Sequence, residues 1–254
     1  MDNNTREVKI PKIIMQTWKN RDIPTKWQES PLSIKKYMPD WNYVLMTDED
    51  NRNFVINYFP DFLYYYDNFP YNIQRADAIR YLWLAINGGI YLDLDIVIQG
   101  PLDKFFTTDN DAYFVCSGNI GSYITNSFMA GKKGVKIWYD MIDYMKMPSP
   151  WWALGKHMIV MNTTGPIGLN YIVKNSSSIF GILPKKIFMP CSICNINHCD
   201  TSTSIIKPLE GSSWIALDTQ IYNFFLCRWK SLLLIIIIVI IVIILYFLFR
   251  VLNK

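Results

Sequence analysis

Apolar and polar residues follow two alternating spacings along the first 145 positions of the chain. Short apolar runs bounded by turn residues predict strands, and apolar residues three and four positions apart predict helices. Strands are predicted at 11–17, 42–46, 112–116 and 126–130, and helices near 31–38, after Thr47-Asp48, at Asn72–Asn87 and at 134–145. Alternating strands and helices favour an α/β fold with a mostly parallel sheet that is covered on both faces.

The helix predicted at Asn72–Asn87 carries two charged residues on one side. Its apolar residues recur at helical spacing, and the run Asn87-Gly88-Gly89 ends it. Asp77 and Arg80 are three positions apart, which makes them neighbours on the helix surface away from the apolar stripe and predicts an ion pair. This pair is either an ordinary surface salt bridge, which contributes little, or a charged pair that grips sugar hydroxyls.

The run from Gly88 to Val97 contains the most informative residues of the chain. Asp93 and Asp95 close an apolar strand just after a glycine turn. Because side chains alternate along a strand, these two carboxylates are expected on the same face, where one cation contacts both. Mg²⁺ and Mn²⁺ take oxygen ligands and commonly bind through one or two carboxylates together with substrate phosphates. The run therefore predicts a divalent-cation site for a nucleotide diphosphate, with a solvated strand end as the plainer alternative.

A second enzyme class shares part of this pattern. The residues Asp93-Leu94-Asp95-Ile96-Val97 also match the Asp-x-Asp-x-Val signature of haloacid-dehalogenase-type phosphatases. That fold normally opens with this strand, whereas nearly ninety residues precede it here. It also requires a late acidic pair for Mg²⁺, which the sequence lacks. The phosphatase is therefore the less favoured hypothesis.

At the level of families, the chain resembles glycosyltransferase family 32. The match is strongest in the runs Arg75-Ala-Asp77-Ala-Ile-Arg80-Tyr81 and Gly88-Gly89-Ile-Tyr91-Leu-Asp93-Leu-Asp95, and it extends loosely over residues 8–218. Three further runs agree in order: Ile10–Trp18, Thr164-Gly165-Pro166 and Ser213-Trp214. This family includes fungal initiating mannosyltransferases and mannosyl-inositol-phosphorylceramide synthases, and the large clostridial glucosylating toxins carry a related core. The resemblance implies the nucleotide-sugar-binding fold called GT-A.

The resemblance also implies roles for the four charged residues. The second Asp of the triplet, Asp95, is expected to bind Mn²⁺ or Mg²⁺ directly. The first, Asp93, is expected to contact the ribose or a metal-bound water. Asp77 and Arg80 are expected to contact the donor sugar. Together these residues form the implied catalytic set of a UDP- or GDP-sugar transferase that acts with retention.

Three other positions are implied to complete the donor site. The opening strand lies against the nucleotide base in the family, which makes Trp18 a candidate for base stacking, with a buried core tryptophan as the alternative. Near the end of the domain, an acidic residue and a Ser or Asn complete the metal and phosphate contacts in the related toxins. Glu210 and Ser213 are the candidates here.

Two departures from the family pattern open an alternative function. Family members usually have His where Met15 stands, and another His where this chain has Lys207–Glu210. The alternative is therefore an inactive relative that binds nucleotide sugar or acts as a scaffold. The acceptor class, whether glycan, glycolipid or protein, stays open.

The last part of the chain predicts a membrane anchor. Every residue of Leu232–Phe249 is apolar or aromatic, and a helix of this length spans about 27 Å, close to the thickness of a thin bilayer. The expected organisation is a catalytic domain at 1–220, a juxtamembrane linker at 221–231, a transmembrane helix at 232–249 and a tail at 250–254. A single-pass, tail-anchored protein of endoplasmic reticulum or Golgi membranes is expected, with the side of the catalytic domain left open.

Composition adds two limits. With 254 residues, 51% apolar content and a net charge of +4, the chain is expected to form one catalytic core, and nucleic-acid binding is not indicated. The cluster Cys191, Cys194, His198 and Cys199 has ligand types that suit zinc but lacks a standard spacing, so a loop with ordinary thiols is favoured. A disulfide is expected only for a luminal domain.

Two aromatic segments have no assigned role. The stretch Tyr58–Tyr71 is predicted as a loop that covers the sheet or lines an acceptor groove. Three roles are open for the run Pro148-Ser149-Pro150-Trp151-Trp152. Its paired tryptophans are expected to stack on an acceptor sugar, to lie at the membrane interface or to be buried by packing.

Overall fold

A computed structural model describes residues 8–117, 123–195, 199–211 and 214–252. The chain divides into two compact units, residues 1–214 and residues 215–254. The strands of the first unit are β1 (Ile13–Thr17), β2 (Asn42–Met46), β3 (Gly89–Leu92), β4 (Ile96–Ile98), β5 (Ala112–Ser117), β6 (Tyr123–Gly131), β7 (Phe180–Leu183) and β8 (Ile206–Pro208). Its helices are α1 (Glu29–Tyr37), α2 (Asp48–Tyr58), α3 (Leu63–Asn68), α4 (Asn72–Asn87), α5 (Lys136–Tyr144), α6 (Gly155–Thr163), α7 (Pro166–Asn175) and α8 (Lys185–Phe188).

The central sheet has the strand order β2-β1-β3-β6-β5-β7 among the described residues. Strand β1 pairs in parallel with β2 and β3, and β5 pairs in parallel with β7. Strand β6 runs antiparallel to both of its neighbours, β3 and β5. The prediction of an α/β fold with a mostly parallel sheet is confirmed.

Each face of the sheet is buried by its own apolar cluster. Tyr91 and Met129 point to one face, where they pack with helices α4 and α5. Ile90 and Leu92 point to the other face and pack with α1 and with Phe188 of α8. Because both faces are covered, the strands read as nearly continuous apolar runs rather than as alternating ones.

The aromatic stretch Tyr58–Tyr71 corrects the prediction of a loop. It contains a 3₁₀ turn at Pro60–Phe62 and the helix α3. Phe62 and Tyr66 are both buried, and their spacing of four places them on one side of this helix. The prolines that suggested a loop stand before and after the helix, where they interrupt no helical hydrogen bond.

The cysteine cluster also differs from the expectation of ordinary thiols. Cys191 and Cys199 form a disulfide, with their Cα atoms 5.4 Å apart, a separation typical of such bonds. His198 lies outside the described residues. The described part of the chain contains no group of three or more His, Cys, Asp or Glu side chains that could hold a metal ion.

The second unit contains one long helix, α9 (Leu217–Leu252). Its segment Leu217–Tyr246 is long and apolar enough to cross a membrane. At 1.5 Å per residue, 30 residues extend about 45 Å, against about 30 Å for the hydrocarbon core of a bilayer. The segment predicted as a juxtamembrane linker, 221–231, belongs to the same continuous helix.

Gly89 offers a test of how tightly β3 is packed. Its φ of +88° disfavours any side chain, and a methyl group there would overlap the carbonyl oxygen of Ile13 on β1. We expect Gly89→Ala to lower the free energy of unfolding by about 3 kcal/mol or more, because backbone strain and steric overlap add. Urea unfolding of the full chain in detergent, followed by near-ultraviolet circular dichroism, measures this change.

Gly134→Ala is the matched control. Its φ of +74° carries a similar strain, but no atom lies within 4 Å of the added methyl group. We expect a loss of about 1 kcal/mol from backbone strain alone. Equal losses in the two variants would contradict close packing of β3 against β1.

Candidate active site

The candidate site lies at the carboxyl ends of β1 and β3. Because these strands are parallel and adjacent, the residues that follow them meet at one edge of the sheet, where ligands usually bind in open α/β folds. Strand β3 ends at Leu92, and Asp93–Asp95 form a turn in which the Ile96 N–H donates to the Asp93 carbonyl at 3.2 Å. The chain then leaves the central sheet, since β4 pairs with β8 in a second sheet.

This turn corrects one step of the sequence analysis. Asp93 and Asp95 do not share the face of a continuous strand, because the strand ends before them. The alternation argument therefore does not apply at these positions. The two residues lie on one turn, and the charge of Asp93 acts to raise the pKa of Asp95.

Arg80 is the centre of a buried charge network. Its Nη2 lies 2.9 Å from Asp77 Oδ1, and its Nη1 lies 3.1 Å from Asp93 Oδ1. Nη1 also donates to the carbonyl of Asn126 on β6 at 2.9 Å. The guanidinium packs over the ring of Tyr91, 4.8 Å from the ring centroid. One side chain therefore joins α4, β3, β6 and the turn that carries both aspartates of the motif.

Asp77 is buried as well, with 4% of the residue exposed. Besides Arg80, Asn126 Nδ2 donates to Oδ1 at 3.1 Å and Thr164 Oγ1 donates to Oδ2 at 3.0 Å. Burial raises the pKa of Asp77 to about 6, against the opposing effect of Arg80. The prediction of an ion pair is confirmed, but its placement on the helix surface is wrong, because α6 and β6 cover this side of α4.

Asp93 and Asp95 differ in their surroundings. The Tyr91 hydroxyl donates to Asp93 Oδ1 at 2.6 Å, the same oxygen that faces Arg80. Burial raises the pKa of Asp93, and Arg80 opposes that effect. Burial, and then the nearby charge of Asp93, raise the pKa of Asp95 to about 7. No ion pair within the described residues involves the Asp95 carboxylate, which makes it the less constrained of the two.

A second network holds the turn from the side of the opening strand. The buried Gln16 donates from Nε2 to Ser30 Oγ at 2.8 Å and to the Asp93 carbonyl at 3.2 Å. Its Oε1 accepts a hydrogen bond from the Tyr43 hydroxyl at 3.0 Å, and Ser30 Oγ donates to the Ile96 carbonyl. Sequence reasoning missed these residues. The available signal was a polar residue inside the apolar strand β1, since a buried amide requires partners.

Trp18 and Glu210 lie near each other at the same edge. The half-buried Trp18 meets Trp27 edge to face, with ring centroids 5.0 Å apart. Trp27 Nε1 in turn donates to the Glu210 carbonyl at 3.2 Å. The Leu209 N–H donates to the Asp95 carbonyl at 2.7 Å, which brings the segment before Glu210 to the turn. The Glu210 side chain is exposed, and Ser213 lies outside the described residues.

Lys26 is a further residue that the sequence analysis did not identify. Its Nζ lies 4.4 Å from the centroid of the Trp27 ring. A methyl group built on Gly211 would lie 2.5 Å from the same nitrogen. Its charge also acts to lower the pKa of Asp95. Lys26 is therefore a positive charge whose field reaches the Asp95 carboxylate.

The residues fit a divalent cation whose coordination is completed by a substrate. Asp93 and Asp95 supply two carboxylates on one turn, and each carries a pKa raised by burial. A cation would offset their mutual repulsion. Mg²⁺ commonly binds through one or two carboxylates together with substrate phosphates, so this small donor set suits a metal–diphosphate complex better than a permanent structural metal.

The burial of Arg80 leads to a stability prediction. We expect Arg80→Lys to lower the free energy of unfolding by about 3 kcal/mol, because an ammonium group does not reproduce the guanidinium fork between Asp77 and Asp93. Arg52→Lys is the matched control, since Arg52 forms a similar two-point ion pair with Asp67 at the exposed surface. Its loss should stay below about 1 kcal/mol. Similar urea-unfolding losses for the two variants would contradict a structural role for the buried pair.

Comparison with known proteins agrees with this geometry. Residues 24–111 match the model of the glycosyltransferase sugar-binding region containing the DXD motif. The chain is 34% identical over 230 residues to inositol phosphoceramide mannosyltransferase 3 of Schizosaccharomyces pombe, covering 87% of this chain and 60% of that protein. It is 34% identical over 165 residues to the mannosyl phosphorylinositol ceramide synthase SUR1 of Saccharomyces cerevisiae, covering 65% of this chain and 42% of that protein.

Among solved structures, the PaToxG glycosyltransferase aligns with a TM-score of 0.48 and 19% identity, covering 65% of this chain and 69% of that one. The chain spans about half the length of the two curated relatives, 60% of one and 42% of the other. The sequence matches confirm the predicted resemblance: residues 24–111 of this chain are a glycosyltransferase sugar-binding region containing the DXD motif.

Proposed function

We propose that the chain is a membrane-anchored, metal-dependent glycosyltransferase that moves a hexose from a UDP- or GDP-sugar to an acceptor with retention at the anomeric carbon. The observation that carries the proposal is the turn at Asp93–Asp95 at the carboxyl edge of β1 and β3. Tyr91 and Arg80 hold the Asp93 carboxylate, whereas the Asp95 carboxylate forms no ion pair within the described residues. A cation bound there, Mn²⁺ or Mg²⁺, supplies electrostatic stabilisation to the departing nucleoside diphosphate.

The donor's phosphates and base have further candidate partners. Lys26 contributes a positive charge that acts on the Asp95 carboxylate, and this charge would attract the negative charge of a diphosphate bound there. The indole N–H of Trp18 has no acceptor within the described part of the chain, and its nitrogen is buried. Because this nitrogen is buried, the proposed contact with a nucleotide base is stacking on the half-exposed ring of Trp18.

Asp77 and Arg80 are proposed to contact the donor sugar from within the buried network. Four contacts of the Arg80 guanidinium are made to the chain itself, to Ala76, Asn126, Asp77 and Asp93. A guanidinium has five N–H donors, which leaves one for a sugar hydroxyl. The main effect of Asp77 and Arg80 is to hold the Asp93–Asp95 turn in place. Direct contact with the sugar is the smaller part of their role.

The names of the relatives suggest the sugar and acceptor. We infer mannosyl transfer to an inositol phosphoceramide, because two relatives about one-third identical to this chain are named for that activity. A lipid acceptor also agrees with a helix that is able to anchor the enzyme at a bilayer.

The disulfide is evidence for the side of the membrane on which the catalytic unit lies. Disulfides form and persist in oxidising compartments such as the endoplasmic reticulum lumen. The Cys191–Cys199 bond therefore favours a catalytic unit on the luminal side of an endoplasmic reticulum or Golgi membrane.

The alternatives receive less support. Asp93 is held by Tyr91 and Arg80, which leaves it poorly placed as the nucleophile of a phosphatase. The hypothesis of an inactive relative rests on two missing His residues, one at Met15 and one in the run Lys207–Glu210. Met15 is fully buried in the apolar cluster that packs against α4. The presence of Met instead of His at this position therefore removes no group from the solvent-exposed surface of the Asp93–Asp95 turn.

The first functional test replaces the proposed metal ligand. We expect Asp95→Asn to lower transfer by at least about 100-fold, because the leaving diphosphate loses its electrostatic partner, while the unfolding midpoint changes little. Release of nucleoside diphosphate from a panel of UDP- and GDP-sugars, with Mn²⁺ and with a chelator, measures the effect. Asp109→Asn is the control, since its side chain is 87% exposed and forms an ion pair with Lys132 at the surface. Full turnover of the Asp95 variant would contradict the proposal.

The second test concerns Lys26. We expect Lys26→Met to raise the KM for the nucleotide sugar at least about tenfold, since a hydrogen bond to a charged group contributes about 1.5–3 kcal/mol. Lys35→Met, on the exposed side of α1, should leave the KM unchanged. An unchanged KM for the Lys26 variant, with the Asp95 variant inactive, would remove Lys26 from the donor site.

A further inference from the structure

The loop between α5 and α6 exposes large apolar side chains. Trp151 is 90% exposed, Leu154 77%, Met147 61% and Trp152 49%. Buried packing, one interpretation of the paired tryptophans, is therefore excluded for Trp151. Contiguous exposed apolar groups on a soluble surface commonly mark an interaction site.

The backbone holds these side chains outward. The Ala153 N–H donates to the Pro150 carbonyl at 2.9 Å, and the Leu154 N–H donates to the Trp152 carbonyl at 3.0 Å. Ala153 itself is buried and attaches the loop to the unit. The two indoles thus stand on a hydrogen-bonded turn, where their side chains are exposed.

The charges around the loop suit a lipid surface. Lys146 precedes it and pairs with Asp143 at 2.7 Å, and Lys156 follows it. The sequence contains no Asp or Glu between Tyr144 and Cys199. This stretch therefore contributes no carboxylate that would repel anionic headgroups. Lys156 donates from Nζ to the Trp214 carbonyl at 2.8 Å and Lys146 is paired with Asp143, so the exposed apolar side chains supply most of the attraction to a bilayer interface.

The same chain carries a helix able to cross a bilayer. Lipid is therefore the partner that the chain itself indicates. We propose that the loop Met147–Leu154 inserts its apolar side chains into the interface of the bilayer that anchors the protein, with Trp151 and Trp152 at headgroup level. Tryptophan is enriched there because its ring is apolar and its N–H is polar. The inference rests on the proposed membrane anchoring and does not depend on transferase activity.

Fluorescence quenching in membranes tests this contact. The full chain is reconstituted into vesicles of phosphatidylcholine with a minority of phosphatidylinositol, with or without bromine on the upper acyl-chain carbons. The emission of the double variant Trp151→Phe/Trp152→Phe is subtracted from that of the wild type, which leaves the signal of these two indoles. Phenylalanine keeps the loop apolar, and the single variant Trp151→Phe provides an independent check.

We expect the brominated lipid to reduce this difference signal about twofold or more, and aqueous iodide to leave it nearly unchanged. A signal quenched by iodide but not by brominated lipid would overturn the inference. A signal protected from both would also overturn it and would indicate a protein partner, a second copy or an acceptor sugar.

Flotation of the vesicles after a carbonate wash separates the two claims. If the chain floats with the vesicles and the difference signal fails to respond to brominated lipid, the loop contact is wrong while the anchor stands. Loss of the chain from the vesicles would overturn both the membrane anchor and the loop contact.

Discussion

A single buried cation, the guanidinium of Arg80, fixes the geometry on which the rest of the candidate site depends. A charge removed from water must be paired and hydrogen-bonded, and here the partners come from three parts of the chain. Asp77 belongs to the same helix, Asp93 to the turn after β3, and Asn126 to β6. Displacement of any one of these elements would leave a buried charge without its partner, so the network sets their relative positions.

This constraint explains why one aspartate of the motif is held and the other is available. Asp93 is fixed on both sides, by Tyr91 and Arg80 through its side chain and by Gln16 through its carbonyl. Asp95 follows two residues later, where the chain turns toward β4. The turn positions its carboxylate, which forms no ion pair within the described residues. The protein thus uses its buried hydrogen bonds to position the Asp95 carboxylate, whose pKa is raised by burial and lowered by the charge of Lys26.

Much of this arrangement was predictable from the sequence, and the failures have identifiable causes. The spacing of apolar residues predicted α4 and its glycine end, and the order of elements predicted the α/β sheet. The periodicity of β3 did not reveal that the strand ends at Leu92, because pairing of β4 with the distant β8 is a tertiary effect. Helical spacing gave the Asp77–Arg80 pair but not its burial, which depends on α6 and β6. The Cys191–Cys199 bond was likewise not predictable, because it depends on the distance between the two Cα atoms in the fold and the positions of the cysteines in the sequence do not give that distance.

The central claim is that a cation binds at Asp95 while the buried network stays intact. Anomalous diffraction from crystals of the protein grown with Mn²⁺ and a nucleoside diphosphate tests it most directly. We expect a manganese peak at coordination distance from the Asp95 carboxylate, with Asp77 still bonded to Arg80, Asn126 and Thr164. A peak coordinated by Asp77, with that carboxylate released from Thr164, would contradict it.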